Sequence, residues 1–256
     1  MIVIISPATT MDFDREINID ISSTPYFINE ANYLANILKT LDLEEVQALM
    51  NLSKDLGQLN LERYQQYGTK NNIKKQSISA FNGEVFSCMN ISDFVNEDFI
   101  FTNEHFRILS GLYGILLPLD NIEPYRLEMK AKLKNTDGPN LYKFWKNRIT
   151  TYLINEAKFQ KHETILNLAS SEYSKAIDLK EIQKHCTFIN IEFKDFDKNK
   201  NKYRVVGMYS KQARGYMSRL IIKNKIDSIE EIKNLNINGY KFNADMSNEL
   251  NIIFTR

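Results

Sequence analysis

The residues Ile2–Ile5 form a short, continuous apolar run that ends at Ser6 and Pro7. A strand with one face in water alternates apolar and polar residues, whereas a strand that is apolar at every position is buried on both faces. Such a strand lies inside a sheet that is covered by helices. The start of the chain therefore predicts a layered fold with a central strand.

Further strand and helix patterns follow along the 256 residues. Strands are predicted at 79–87, 106–110, 164–169, 187–193, 203–209 and 250–254, and helices from about Ser92 and from Asn140. Helices alternate with strands, but hairpin-like spacings also occur. We therefore predict an α/β fold with some α+β character, in which helices surround a mixed sheet. No repeat or linker interrupts residues 1–256, so we expect a single domain.

Charge and cysteine usage narrow the function classes. The 33 basic and 32 acidic residues give a net charge of +1, which argues against a uniformly basic nucleic-acid binder but allows a local basic patch. Cys88 and Cys186 are far apart, the first residues are too few for a secretion signal, and no apolar run approaches the roughly 18 residues of a membrane span. We expect a cytoplasmic protein without membrane contact.

The segment Arg107–Met129 predicts a polar site. It contains two glycines, turns at two prolines, and ends in an alternating pattern that predicts a strand. In that strand Arg126 and Glu128 lie on one face and apolar residues lie on the other. An arginine and a carboxylate on one face, beside a glycine-rich turn, favour a site over a simple connection.

Two loops that follow apolar strands are further candidates. The loop 6–12 offers Ser6 and other hydroxyl groups at the carboxyl end of a buried strand, where α/β sheets often bind ligands. Ser170 begins a second junction, in which Glu172 and Lys175 are candidates for an acid or a base. For both loops, the alternative is an ordinary strand exit or helix cap.

A basic helix is predicted around 210–219. Lys211, Arg214 and Arg219 lie on the side opposite its apolar face, and Gly215 lies between the two sides. Glycine in a helix costs about 1 kcal/mol relative to alanine, so we interpret Gly215 as a bare floor for a close ligand; a solvated basic face is the alternative. The preceding segment 194–204 predicts a hairpin whose lysines are solvated or contact phosphate.

The segment 43–67 predicts two helices that are broken at Leu56–Asn60. An apolar-Gly-x-apolar turn between helices is typical of a helix-hairpin-helix unit, whose turn amides contact phosphate. Asn60 stands where the full pattern has a second glycine, and an ordinary helical corner is the alternative. No histidine, cysteine or carboxylate spacing indicates a metal, and no nucleotide-binding or nucleophile motif occurs. We expect no metal and no cofactor.

Several of these stretches together resemble the YaaA family of bacterial peroxide-stress proteins. The resemblance covers nearly the whole chain and rests on blocks in family order: ISPATTMD, SAFNGEVF, LSGLYGILLPLD, EPYRLEM, NLASSEYSKAI and KQARGYMSRLII. It implies a single α/β domain in the cytoplasm that lowers intracellular iron under hydrogen peroxide stress. It also implies a positively charged cleft and a helix-hairpin-helix motif that binds DNA, with Lys54, Gly57, Asn60 and Arg63 as the contacts.

The chain departs from the family pattern at three positions. Thr9 stands where the family usually has lysine, Leu117 where it has arginine, and Lys130 where it has glycine. The first two remove cations from the expected cleft, and Lys130 adds one. The positions that match the pattern are Arg126, Glu128, Ser170, Glu172, Tyr173, Lys175, Lys211, Arg214 and Arg219.

Two main hypotheses remain open. In the first, a stress protein binds DNA phosphates with weak sequence specificity, through a cleft formed by Ser6, Arg126, Ser170, Lys211, Arg214 and Arg219. In the second, an enzyme acts on a nucleotide-like or other anionic small molecule in the same cleft, with catalytic candidates Glu128, Glu172 and Lys175. The sequence does not decide whether any reaction is catalysed. A third option, an interaction module, predicts a broad exposed apolar patch.

Overall fold

Strand β1 (Ile2–Ile5) lies in the middle of the main sheet, as its continuous apolar pattern predicts. In the computed structural model, which describes residues 1–15, 17 and 19–256, all four residues are at most 1% exposed. β1 pairs in parallel with strands on both sides. The first six residues therefore place a buried strand and, directly after it, the loop that opens with Ser6.

Strands and helices alternate through the rest of the described chain. The strands are β1 (Ile2–Ile5), β2 (Lys75–Gln76), β3 (Phe106–Ser110), β4 (Gly114–Leu116), β5 (Asn121–Ile122), β6 (Thr164–Asn167), β7 (Thr187–Asp197), β8 (Lys202–Arg204), β9 (Lys241–Phe242) and β10 (Asn251–Thr255). The α-helices are α1 (Ile28–Lys39), α2 (Leu43–Met50), α3 (Lys54–Gln66), α4 (Ser77–Ala80), α5 (Glu84–Met89), α6 (Asn96–His105), α7 (Leu141–Lys158), α8 (Ser171–Ser174), α9 (Leu179–Ile182), α10 (Gly207–Lys223) and α11 (Ile229–Lys233). Short 3₁₀ helices cover Ile91–Asp93 and Ala244–Met246.

The main sheet of the described residues has the strand order β4-β3-β1-β6-β7-β10-β9, with β8 on the end of β7. The five strands from β3 to β10 in this order run parallel, and β4, β8 and β9 are antiparallel to their neighbours. The prediction of a mixed sheet surrounded by helices is confirmed. Because β1 and β6 are parallel neighbours, the loops after them meet at one edge of the sheet.

Two of the predicted strands are wrong in whole or in part. Residues 79–87 fold into the end of α4 and the start of α5, where Phe86 and Met89 are buried at a helical spacing of three. The strand predicted at 203–209 ends at Arg204, and α10 begins at Gly207. Short apolar runs fit either state, and periodicity alone does not separate them. The helix predicted from Asn140 is confirmed, since Asn140 caps α7 by accepting a hydrogen bond from the Lys143 amide at 3.0 Å.

The predicted helix break at Leu56–Asn60 is wrong. The chain turns at 51–53 instead, where Asn51 has a left-handed conformation with φ of 53° and Ser53 caps α3. Gly57 and Asn60 lie inside α3 and are buried. A helix-hairpin-helix turn is therefore absent at the predicted place, and the described corner between α2 and α3 is three residues long.

Gly57 is explained by packing between two helices. A Cβ atom at this position would lie 2.6 Å from Gln47 Cγ on α2, well inside van der Waals contact. The side chain of Asn60 donates a hydrogen bond to the Leu56 carbonyl at 2.7 Å, so it serves its own helix. The apolar-glycine pattern thus reports close helix packing and not a turn.

The segment Arg107–Met129 forms β3, β4, β5 and an extended stretch outside the sheet. Residues 125–129 alternate as predicted, with Tyr125, Leu127 and Met129 buried, but they form no hydrogen-bonded strand. Gly111 allows this stretch to pack closely, because a Cβ there would lie 2.1 Å from the Leu127 carbonyl oxygen. Within the described residues, no helix is long and apolar enough to cross a membrane.

Candidate functional site

A cleft of about 490 Å³ lies at the carboxyl ends of β1 and β6. The loops after these strands form its base, the start of α5 and the first turns of α10 form its walls, and the stretch around Glu128 closes one side. Its polar lining residues are Ser6, Thr9, Thr10, Glu84, Glu128, Lys130, Ser170, Ser171, Glu172, Lys211 and Arg214. Segments that are far apart in the chain therefore meet at one polar cleft.

Two serines join the loops at the base of the cleft. The Ser6 hydroxyl accepts a hydrogen bond from the Ser170 amide at 2.9 Å, and the two hydroxyl oxygens lie 3.2 Å apart. The Ser170 amide is thus occupied within the protein. The Ser6 hydroxyl donates to the Ser170 hydroxyl, so the Ser170 hydroxyl can still donate a hydrogen bond to a ligand.

Glu128 lies between two cations. Its carboxylate accepts a hydrogen bond from Arg126 at 2.7 Å and pairs with Lys130 Nζ at 2.8 Å. Burial raises the pKa of Glu128, but the hydrogen bonds from Lys130 and Arg126 outweigh it, and the net pKa is lowered. The carboxylate is therefore ionised at neutral pH and is a poor general acid there.

Lys130 links the two carboxylates of the cleft. Its ammonium nitrogen lies 3.7 Å from Glu172 as well as 2.8 Å from Glu128. The hydrogen bond and charge of Glu128 raise the pKa of Lys130. The residue that replaces the glycine of the family pattern thus supplies the cation that neutralises this acidic side of the cleft.

Three buried side-chain atoms in or beside the cleft have no hydrogen-bond partner in the described residues. They are Oε1 of Glu172 and the Nε atoms of Arg126 and Arg214. Burial lowers the pKa of Arg214, and the charge of Glu192 opposes this shift. Buried polar atoms usually have partners, so the atoms of Glu172 and Arg214, which line the cleft, mark positions where a ligand can complete the hydrogen bonding.

The first half of α10 places Lys211 and Arg214 at the cleft. Gly215, however, faces α5 and not a ligand, because a Cβ there would lie 2.3 Å from the Val85 carbonyl oxygen and 2.7 Å from Cys88 Cβ. The interpretation of Gly215 as a bare floor for a ligand is wrong. The glycine lets two helices approach closely, and this approach holds Lys211 and Arg214 in the wall of the cleft.

Arg219 lies outside the cleft, contrary to its predicted place beside Lys211 and Arg214. Its guanidinium group donates to both carboxylate oxygens of Asp93 at 2.9 and 2.6 Å and to the Met89 carbonyl at 3.2 Å. Arg219 lies five residues beyond Arg214 and eight beyond Lys211, which is about 1.4 and 2.2 turns of helix. The charge of Arg219 is therefore neutralised by Asp93, which comes from a distant part of the chain.

Two other candidates are also absent from the cleft lining. Lys175 is exposed after the short helix α8 and does not line the cleft. Arg126 does not line it either, but its ion pair with Glu128 fixes it directly behind the wall. Of the catalytic candidates, Glu128 and Glu172 meet in the cleft and Lys175 does not.

Helix α3 reaches the back of the site. The Tyr64 hydroxyl donates a hydrogen bond to the Arg126 carbonyl. Burial lowers the pKa of Arg63, and the nearby positive charge of Arg126 lowers it further. Lys54 is exposed at the other end of α3. The predicted contacts Lys54 and Arg63 are thus partly open to solvent, whereas Gly57 and Asn60 are buried.

Some cleft residues were missed at the sequence level. Glu84 lines the cleft from the start of α5 and accepts a hydrogen bond from Gln212 at 3.1 Å. The prediction of a strand at 79–87 placed Glu84 within a strand and not at the start of a helix. Of the two lost cations, Thr9 lines the cleft and Leu117 does not. Among the described residues, no group of three or more histidine, cysteine or carboxylate side chains is placed to hold a metal ion.

Comparison with known proteins identifies a family for this chain. A family model described as "Peroxide stress protein YaaA" matches residues 1–246. A UPF0246 protein of Clostridium botulinum is 43% identical over 257 residues, covering 100% of this chain and 99% of the relative. UPF0246 proteins of Clostridium beijerinckii and Saccharophagus degradans are each 39% identical, over 100% of this chain and 98% and 99% of the relatives.

The fold and its cleft define the chain as an α/β protein with a candidate ligand site at the carboxyl edge of its parallel strands. The chain belongs to the peroxide stress protein YaaA family.

Proposed function

We propose that this peroxide stress protein binds DNA by its phosphate backbone, at the cleft and at the side of α3 behind it. The observation that supports the proposal is the placement of Lys211 and Arg214 in one wall of the cleft. In the described residues Lys211 has no ion pair, so its charge is available to an anion. Contacts of lysine and arginine with phosphate supply most of the affinity of weakly sequence-specific DNA binding.

Helix α3 supplies a further contact in this proposal. Arg63 is half-buried on the side of α3 that meets Arg126, and Lys54 is exposed at the first residue of the helix. The two positions are nine residues apart, which at about 100° per residue places them on opposite sides of the helix. One stretch of DNA backbone therefore contacts only one of them, and we expect that to be Arg63, because it lies on the side of α3 that reaches the back of the cleft.

A fluorescence anisotropy titration with labelled duplex DNA tests the proposal. The account expects binding at low salt that weakens steeply as the salt concentration rises, because bound cations of the DNA are released. Absence of binding at low salt, or affinity that does not respond to salt, would rule the proposal out.

We further propose that the physiological effect is a lower level of intracellular iron during peroxide stress. The family membership supports this proposal. Measurement of chelatable iron by electron paramagnetic resonance, in cells with and without the protein, tests it. The expected result is more chelatable iron after peroxide treatment in cells that lack the protein, and equal iron levels would contradict it.

A second candidate function is catalysis on a nucleotide-like or other anionic small molecule. It is favoured by one observation, namely that Glu128 and Glu172 lie in the same cleft as Lys211 and Arg214. Carboxylates repel a DNA backbone, and phosphate binding alone does not need them. In this function Lys211 and Arg214 bind the anionic group, and the unpartnered oxygen of Glu172 accepts a hydrogen bond or proton from the substrate.

Isothermal titration with a nucleoside monophosphate separates the two functions. Catalysis on such a molecule predicts binding that Glu172→Gln weakens, while Glu249→Gln, at an exposed position in the loop before β10, does not. DNA binding without a small-molecule function predicts no heat of binding for the nucleotide and tighter binding of duplex DNA by Glu172→Gln, because a carboxylate that repels the backbone is removed.

A further inference from the structure

An exposed aromatic and apolar surface lies beside the cleft. Phe196 on β7 and Tyr203 on β8 face each other across the hairpin, with ring centroids 5.2 Å apart, and are 44% and 38% exposed. Val205 and Met208 continue this surface with exposures of 51% and 60%. Large apolar side chains that remain this exposed as a group mark interaction sites.

This surface is continuous with the cleft. Met208 and Lys211 are three residues apart on α10, so their side chains lie on neighbouring positions of one helix face, and Lys211 lines the cleft. On the other side, Lys194 of β7 pairs with Glu192 at 3.2 Å, and the charge of Glu192 acts on Arg214 in the cleft. The hairpin of β7 and β8 thus extends the wall that holds the cleft cations.

The charges of the hairpin favour an anionic partner. Asp195 forms an ion pair with Arg256 and accepts a hydrogen bond from the Tyr240 hydroxyl. Asp197 pairs with Arg204 at 2.8 Å. Within the described residues no ion pair involves the cations at the end of the hairpin, which are Lys198, Lys200 and Lys202. The carboxylates are therefore neutralised within the protein, and the lysines are left to solvent or to a ligand.

We infer that Phe196 and Tyr203, with the adjoining Val205 and Met208, form a stacking surface for the unpaired bases of single-stranded nucleic acid. The phosphates of such a strand lie against the hairpin lysines and reach Lys211 at the cleft. Aromatic rings that stack on bases, beside a cationic track for the backbone, are the usual means of binding single strands without sequence preference. This inference rests on the proposed nucleic-acid binding and specifies the form of the ligand.

Two other partners fit the surface less well. A hairpin that enters a membrane carries its apolar residues at the tip, whereas the tip here, 198–201, has the sequence Lys-Asn-Lys-Asn. A second copy of this chain would bring the same lysines against each other, and like charges at an interface oppose association. A single-stranded nucleic acid satisfies both the rings and the cations.

Fluorescence anisotropy with a labelled oligothymidine and with a duplex of equal length tests the inference. The double variant with Phe196→Ala and Tyr203→Ala should bind the single strand about 30-fold more weakly, since base stacking on an aromatic ring is worth about 1 to 3 kcal/mol per base. Its affinity for the duplex should change by less than about twofold, because the lysines are retained. Tyr203→Leu, which keeps an apolar side chain but removes the ring, should also weaken single-strand binding.

Phe159→Ala is the matched control. Phe159 is 86% exposed and follows α7, close to Gln160, which contacts the amino terminus at the opposite end of β1 from the cleft. This variant should bind both ligands as the wild type does. Thermal unfolding followed by circular dichroism verifies that each variant is folded.

The outcomes separate this inference from the proposed DNA binding. Unchanged single-strand affinity in the double variant would overturn the stacking surface, even if the duplex still binds. A wild-type protein that binds the single strand through these rings but not the duplex would uphold the surface and contradict the duplex proposal. Loss of binding to phosphatidylglycerol vesicles in the double variant, with single-strand affinity unchanged, would assign the surface to a membrane and overturn the inference.

Discussion

The two halves of α10 carry similar cations in opposite situations. In the first half, Lys211 and Arg214 line a cleft, and Arg214 has an unpartnered Nε atom. In the second half, Arg219 is held by Asp93, and Lys223 pairs with Asp98 at 2.8 Å. The cations at one end of the helix are therefore placed to bind a ligand, and those at the other end form ion pairs that stabilise the fold.

The difference arises from the acids that the fold brings to each half. Asp93 and Asp98 come from the region of α6, more than a hundred residues before α10 in the chain, and meet only its second half. An ion pair that is formed inside the protein satisfies a cation, and it then contributes little to the binding of an external anion. The availability of a cation thus depends on its partners, and not on its place on a basic helix face.

The largest expected effect is on stability, and it concerns the contact of Gly215 on α10 with α5, which positions both halves of α10. Gly215→Ala would place a Cβ against the backbone of α5, and we expect a loss of about 3 kcal/mol of unfolding free energy from this overpacking. Urea denaturation measures the loss. The matched control is Gly207→Ala on the same helix, where nothing lies within 4 Å of the added atom. Equal stability of the two variants would contradict the packing role of Gly215.

The second prediction tests the half of α10 that serves the fold. Asp98→Asn leaves Lys223 and Lys225 without their buried carboxylate, and we expect a loss of about 2 kcal/mol at neutral pH. Burial raises the pKa of Asp98, but hydrogen bonds from Lys223 and Lys225 outweigh it and lower the pKa to about 2. Because the folded pKa lies below the unfolded one, this stabilisation is present above about pH 4. It is lost as the pH falls toward about 2.

The difference in unfolding free energy between the wild type and Asp98→Asn should therefore shrink between about pH 5 and pH 2. Asp245→Asn, at an exposed position, serves as the control and should change stability by less than about 0.5 kcal/mol. A difference that stays constant over this pH range would show that the carboxylate charge of Asp98 does not stabilise the fold.

The smallest expected effect concerns the half of α10 that faces the cleft. Glu128→Gln removes a negative charge from the wall opposite Lys211 and Arg214, and we expect about fivefold tighter binding of duplex DNA at low salt. The gain should fade at high salt because the added attraction is screened. Glu249→Gln, outside the cleft, should leave the affinity unchanged. Weaker binding by Glu128→Gln would favour a ligand that needs the carboxylate.

Much of the fold could be predicted from local patterns. The continuous apolar residues of β1 and the Asn140 cap of α7 each depend on neighbours in sequence, and both predictions are confirmed. The glycines were harder to interpret. Gly57 and Gly215 predicted a turn and a ligand floor, but each glycine serves close packing against another helix. The atoms that come within 3 Å of such positions belong to other segments, and a single sequence does not show them.

The candidate site was predictable in its residue types and less so in its membership. Ser6 and Ser170 follow apolar strands, and their meeting follows from the parallel order of β1 and β6. Glu128 reaches the cleft on an extended stretch outside the sheet. The exclusion of Arg219 was not predictable, because its partner Asp93 is distant in sequence. Neither was the bridge of Lys130 between two carboxylates, which requires Glu128 and Glu172 to face each other across the cleft.

The central claim is that, of the two halves of α10, only the first binds an external anion. Its most direct test is a titration of duplex DNA at several salt concentrations with the wild type, Lys211→Ala and the matched variant Arg219→Ala. The account predicts that Lys211→Ala lowers the affinity about tenfold at low salt and reduces the salt slope by about one. Arg219→Ala should bind within about twofold of the wild type. Equal losses in both variants, or no loss in Lys211→Ala, would contradict the account.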